Sequence, residues 1–244
     1  KTILWELQEV SAMCNQCKVT FFKFRHFVLF YIAVLCVVGS GFSYGFVRIS
    51  DIVGSVYYAF SIVNSDTSLL FLAALITAWF LGSDFSNRTI HHEITLGYSR
   101  WSVLLVRELP VLLSGVILHF AYVFSAVLGV ACKNGFSGTM FETADILWCV
   151  TIMLQLMGLQ SVITMITFIC AKAPAAIAIS VSFTIIACNV LRNFLGDTLF
   201  TKTVFYLARD NVSATLLPTS IVAVVTLIVF IALTYMIFRR KEIK

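Results

Sequence analysis

The chain has 244 residues, of which 60% are apolar or aromatic and 12% charged, against roughly 45–50% and about 25% in an ordinary soluble domain. A soluble domain of this length cannot hide so much apolar surface, because a large share of any folded surface still faces water, and disordered or low-complexity classes fail on the same composition. The net charge of +5 comes from residues that flank apolar runs, with no basic stretch interleaved with stacking aromatics, which excludes nucleic acid as a partner.

Residues 1–26 mix Leu4, Trp5, Val10, Met13, Phe21 and Phe24 with Glu6, Glu9, Lys18 and Lys23. That pattern predicts an amphipathic helix lying in the membrane interface, with a solvated tail as the alternative. The segment is too polar at its start for a cleaved signal, and no small-residue cleavage pattern follows the first apolar run. The start at Lys1 implies that an initiator methionine has been trimmed. Cys14-Asn15-Gln16-Cys17 is a single C-x-x-C without a second pair or a nearby histidine, so chance spacing outweighs metal or redox chemistry. Seven cysteines, an odd number and mostly inside apolar runs, imply no disulfide framework.

Six apolar runs follow, at 27–47, 67–82, 102–130, 144–170, 175–191 and 218–238. A crossing helix needs about 20 apolar residues; the second and fifth runs are short and borrow from their flanks. The runs lack the alternation of a lipid-facing strand, which favours helices over a barrel. The expected fold is therefore an all-α membrane protein: an interfacial helix over 1–26, then a six-span domain over 27–244. With the N-terminus inside, the inner segments hold eleven Lys/Arg residues: Lys1, Lys18, Lys23, Arg25, Arg88, Arg100, Lys172, Arg239, Arg240, Lys241 and Lys244. The outer loops hold five, Arg48, Lys133, Arg192, Lys202 and Arg209. The bias predicts that both termini are cytoplasmic.

Enzyme motifs are missing. There is no G-x-x-x-x-G-K-[ST] loop and no H-E-x-x-H, so no nucleotide, cofactor or metal is expected on this chain, and no catalytic residue. His91-His92-Glu93 are consecutive and point different ways around a helix. Gly135-Phe136-Ser137-Gly138 matches the G-x-S-G of rhomboid intramembrane proteases, which pair the serine with a histidine on their last core span. Residues 218–238 contain no histidine, and a serine without a base is inert.

Polar residues inside the runs are expensive in lipid. His119, Tyr122 and Ser125 can form a stripe on the third span, while Gln155 and Gln160 lie on the fourth and Asn189 near the outer end of the fifth. Interhelical hydrogen bonding is the favoured role; a substrate path through His119, Tyr122, Gln155, Gln160 and Asn189 is the alternative. Mid-membrane carboxylates, which ion-coupled carriers usually need, are missing, with Glu108 placed near the cytoplasmic end.

The most informative segment is 83–101, between the second and third spans. Asp84 or Ser86 can cap a short helix, Ile90, Ile94 and Leu96 supply apolar contacts, and Gly97 can close it with a left-handed residue. Trp101 then sits at the interface as the third span begins. Such an element has the form of a docking helix; an ordinary structured loop fits the composition equally well.

Asp84-Phe85, Arg88-Thr89-Ile90, Gly97-Tyr98-Ser99-Arg100 and Arg107 together resemble the signature of ABC-2 type transporter permeases. The architecture fits over the whole chain, and the sharper motif covers about 25 residues near the second and third spans. The resemblance implies a membrane subunit of a bacterial exporter, in the plasma membrane. Two permease chains, expected as a homodimer, would work with two separate ATPase subunits that bind ATP and Mg. It further implies a coupling helix near 86–97 that docks into the ATPase through Asn87, Arg88, Ile90, His91, His92, Glu93 and Ile94, with Glu93 pairing a basic residue of the partner. Arg100 and Arg107 would anchor the junction to the third span. Residues 192–217 are apolar enough to dip back into the membrane, or to form an interfacial lid. The expected cargo is an amphipathic or hydrophobic peptide, such as a bacteriocin or toxin, with a drug or lipid next. A non-transporting immunity or sensor protein is the competing class.

Overall fold

The computed structural model describes residues 2–52, 55–67, 70–136, 142–187, 204, 207–208 and 213–241. The described elements are helices: α1 (Thr2–Arg25), α2 (Val28–Ile52, with a π-helical turn over Gly45–Ile49), α3 (Val56–Asn64), α4 (Leu70–Ser86), α5 (Thr89–Thr95), α6 (Arg100–Asn134), α7 (Thr143–Cys170), α8 (Ala173–Ile185) and α9 (Ser213–Arg240). Four of them, α2, α6, α7 and α9, are long and apolar enough to cross a membrane. The pair α4 and α5 meets the same test together but is bent by 56° at the break. α8, with 13 described helical residues, is shorter than the roughly 20 a crossing takes. The protein is a multi-pass, all-helical membrane protein.

Five of the six apolar runs coincide with α2, α4, α6, α7 and α9, while α8 covers only part of the run 175–191, whose residues 188–191 lie outside those described. α3 matches none of the runs; it lies in what the sequence presents as an outer loop. The central element is α6, which packs against α1, α2, α3, α4 and α7, while α7 carries α9 and α4 carries α8. Large apolar side chains such as Leu35, Phe124, Ile221 and Ile228 point away from the bundle, as a surface solvated by lipid chains requires.

Lipid tails are as apolar as leucine, so helices in a bilayer associate by close packing rather than by escaping water. The α2–α6 seam depends on that. Gly41 and Gly45, four residues apart on α2, lie against Tyr122, Ser125 and Ala126 of α6, and Gly129 of α6 lies against the backbone of Phe42 and Phe46. A Cβ on Gly129 would come within 2.5 Å of the Phe42 carbonyl oxygen. Beside the seam, Phe60, Val63, Trp148 and Ile152 fill one apolar core. A second core, nearer α5, joins Phe80, Ile90, Leu104, Phe168 and Phe238. At the end of the bundle far from α5, Lys133 pairs with Asp51 at 2.5 Å and Asn134 donates to the Ser50 carbonyl at 2.9 Å, fastening α6 to the end of α2.

Candidate functional site

The site is built where α4 ends. The sequence suggests Asp84 or Ser86 as the cap of the short helix; instead α4 runs through both and α5 begins at Thr89. Its N-cap is Arg88, at φ 57° and ψ 19°. A left-handed residue here turns the chain through the 56° bend, a conformation that costs a non-glycine residue roughly 1–2 kcal/mol. The other end follows the expectation. Gly97 takes φ 91°, its N–H bonds to the Ile94 carbonyl at 3.0 Å, and the Tyr98 N–H bonds to the Glu93 carbonyl at 3.2 Å. This is a Schellman closure, which satisfies carbonyls that the helix end leaves without partners.

Asp84 is released from capping because it points inward. It is 2% exposed and meets two cations, the Lys23 ammonium from α1 and Arg107 Nε from α6, the latter at 2.9 Å. The other two guanidinium nitrogens of Arg107 hold both carboxylate oxygens of Glu93 on α5, each at 2.8 Å. Gln16 of α1 donates to Glu93 at 3.5 Å and accepts from the Ser102 hydroxyl at 2.6 Å. A single guanidinium, itself 2% exposed, thus ties α4 and α5 to α6, and α1 joins through Lys23 and Gln16. Two cations face two carboxylates, so the node carries no net charge. Its fork geometry is the one in which Arg–carboxylate pairing is strongest.

Within the node the labile group is Lys23. Burial, and then the Arg107 guanidinium, push the Lys23 ammonium down to about 8, with Glu93 acting the other way. Between that value and the ordinary 10.5 the unfolded chain holds a proton that the folded chain has lost. The protein is therefore expected to gain stability as pH rises through this window. Thermal unfolding in detergent from pH 7 to pH 10.5 checks this; the rise should be missing in Lys23→Met, whose side chain cannot titrate.

A second set of contacts closes the same end of the bundle. Arg100 Nη1 donates to the carbonyls of Phe238, Arg239 and Lys241 at 2.6, 2.8 and 3.2 Å, with its guanidinium 5.7 Å from the Phe238 ring centre. Lys241 Nζ donates to the Phe168 and Ile169 carbonyls at 2.8 and 3.0 Å. Cations thereby cover the negative C-terminal ends of α9 and α7, where helix dipoles favour them.

The residues expected to meet an ATPase do not share one surface. Asn87, Arg88 and His92 are exposed, and His91 and Ile94 are half-buried. Ile90 is fully buried in the core next to Phe80 and Leu104. The carboxylate of Glu93 is engaged within the chain by Arg107, so it is already paired before any partner arrives. Arg107 sits in the node and Arg100 at the α9 terminus, so both junction arginines are internal ties.

The residues of the possible substrate path are spread along the bundle. Nε2 of His119 lies 3.2 Å from the Asn64 carbonyl, and the Tyr122 hydroxyl donates to Asp66 at 3.0 Å. Both line a small pocket with Asp66, Val37, Leu70 and Gly115. Gln160 accepts from Thr77 at 2.7 Å. Gln155 accepts from the Ala208 N–H at 3.0 Å, while the Trp148 indole donates to the Ala208 carbonyl at 2.7 Å. Each has a partner inside the protein. Asn189 and Ser137 lie outside the described residues, as does most of 192–217. Among the described residues no group of three His, Cys, Asp or Glu could hold a metal ion; Cys14 and Cys17 are free thiols on α1.

Sequence reading missed the roles of Lys23 and Asp84. The available signal was the rarity of ionisable residues in or next to apolar runs: Lys23 and Asp84 flank one each and Arg107 lies just inside a third, and such charges usually pair with one another. No protein-family model matches the chain, and no curated protein is similar to it in sequence.

Proposed function

We propose that the chain is the membrane subunit of an exporter driven by ATP hydrolysis in a separate subunit, of the ABC-2 permease type. One arrangement carries the reading: a seven-residue helix, α5, is turned off the end of α4 and clamped by Arg107 to α6. A push on the exposed face of α5 would then be transmitted to the longest helix of the bundle instead of being lost in a flexible loop. In this reading α2, α4, α6, α7, α8 and α9 mark six crossings. Both termini and α5 face the cytoplasm of a bacterial cell, the side on which the Lys/Arg bias places them. Two such chains would work with two ATPase subunits. ATP binding closes the ATPase pair and shifts the spans toward an outward-open arrangement. A hydrophobic or amphipathic peptide remains the favoured cargo, with a drug or lipid next, a reading supported by a compact chain that carries 22 phenylalanines.

The test begins with affinity purification of the full chain from its native membrane, which is expected to bring down a protein carrying a Walker A loop. In that complex, Arg88→Ala combined with His92→Ala should abolish stimulation of ATP hydrolysis, since both side chains are exposed on α5 and neither belongs to the node. Unchanged stimulation and unchanged assembly after those substitutions would remove α5 as the docking element. A chain that purifies and transports alone would remove the reading altogether.

A further inference from the structure

Glu108 takes part in neither the node nor the pocket. It follows Arg107 on α6, is 2% exposed, and its Oε1 has no hydrogen-bond partner. The Thr164 hydroxyl of α7 faces the carboxyl; Thr164 is 1% exposed and its oxygen is likewise unpartnered. Two buried polar groups thus meet in the α6–α7 interface, with Oε1 of the carboxyl left without a partner.

Among the described residues no counter-charge accompanies them. On α6 the neighbouring Arg107 is turned to Asp84 and Glu93. On α4 the only ionisable residue is Asp84, already held by Lys23 and Arg107. α7 has Asp145 as its one acidic residue, in its first turn and so at the opposite end of the helix from Thr164. α8 carries no ionisable side chain, and the basic residues of α9 are in its last turn.

An ionised carboxylate taken out of water without a partner costs several kcal/mol even after relaxation. A metal cation is a poor remedy, since hard cations take about six oxygens and this site offers a carboxyl and one hydroxyl. A lone hydroxyl can donate one hydrogen bond to the carboxylate but cannot cancel its charge; a proton does cancel it, and the resulting acid O–H can be accepted by the lone pairs of the same hydroxyl.

We propose that Glu108 is a proton-binding site in the α6–α7 interface, occupied in the arrangement described here. The proton is taken from water as the two helices close, converting the carboxylate to the acid. It returns to water when they part and the carboxylate is hydrated. Proton occupancy and helix closure are therefore linked, whatever drives the cycle and whatever the cargo.

The probe is the proton itself, read by infrared difference spectroscopy on the full chain in lipid nanodiscs at pH 7. Wild type minus Glu108→Gln is expected to contain the carbonyl stretch of one protonated carboxyl, which shifts in deuterium oxide. Thr164→Val should move that band to higher frequency by removing the hydrogen-bond acceptor, with the band retained. Two results would overturn the proposal: no protonated-carboxyl band in the difference spectrum, or a carboxylate band in its place. Since Glu108→Gln keeps the size and neutrality of the acid, its melting temperature should match wild type at pH 7. A large loss there would show that the ionised form supports the fold. None of these readouts involves an ATPase, so the result stands apart from the exporter reading.

Discussion

Arg107→Ala is expected to destabilise the folded chain by about 3–5 kcal/mol, the usual cost of breaking a buried ion pair by removing one partner. The reason is geometric. The guanidinium makes three contacts of 2.8–2.9 Å to two carboxylates on two different elements. Truncation leaves Asp84, 2% exposed, with Lys23 alone, and leaves Glu93 with only a long contact to Gln16. Lys at the same position keeps the charge but cannot form the fork, so Arg107→Lys should fall between wild type and alanine. Unfolding in mixed micelles, followed by helical circular dichroism, ranks the three. Because α5 is only seven residues long, it cannot persist by itself, and hydrogen exchange over 89–95 should accelerate in the alanine variant even where the bundle survives. A change within about 0.5 kcal/mol of wild type, the range of ordinary surface substitutions, would mean that the node does not hold these helices.

Gly45→Val should be nearly as damaging, and Gly39→Val should not. Both glycines are on α2. A Cβ at Gly45 would overlap the carbonyl group and Cα of Ala126, which are backbone atoms that cannot swing aside, whereas a Cβ at Gly39 meets nothing within 4 Å. Forcing atoms into a filled interface costs roughly 1–3 kcal/mol through backbone displacement. In contrast, replacing an exposed helical glycine relieves a conformational penalty of roughly 0.5–1 kcal/mol for alanine, and somewhat less for a β-branched residue. The comparison of melting temperatures isolates the seam, because residue type and helix are the same in both variants. Equal effects at the two positions would show that α2 and α6 do not approach through their backbones here.

The contrast between these two regions explains what could be read before the structure. The long helices announce themselves because apolarity is a property of each residue summed along the chain, so α6 and α7 begin and end within a few residues of the predicted runs. Closure at Gly97 was readable for a similar reason: a left-handed position after a short helix favours glycine through local sterics alone. The node was not readable. Asp84 has the composition of a helix cap, and only the approach of α1, 61 residues away in sequence at Lys23, makes it an ion-pair partner. Glu93 likewise suits an external contact until α6 folds back and places Arg107, 14 residues on, against it. α3 escaped notice because its nine residues carry tyrosines, a serine and an asparagine, a composition that also suits an interfacial loop.

The grip of Trp148 and Gln155 on Ala208 has a bearing on what a bilayer can tolerate. Bare peptide dipoles are barred from oil, so a chain that leaves its helix at depth must be chaperoned by side chains at every polar atom. Ala208 is served in this way on both counts, its N–H by Gln155 and its carbonyl by Trp148. Two side chains of α7 thus act as a surrogate ladder for Ala208, supplying both partners that a neighbouring strand would otherwise provide.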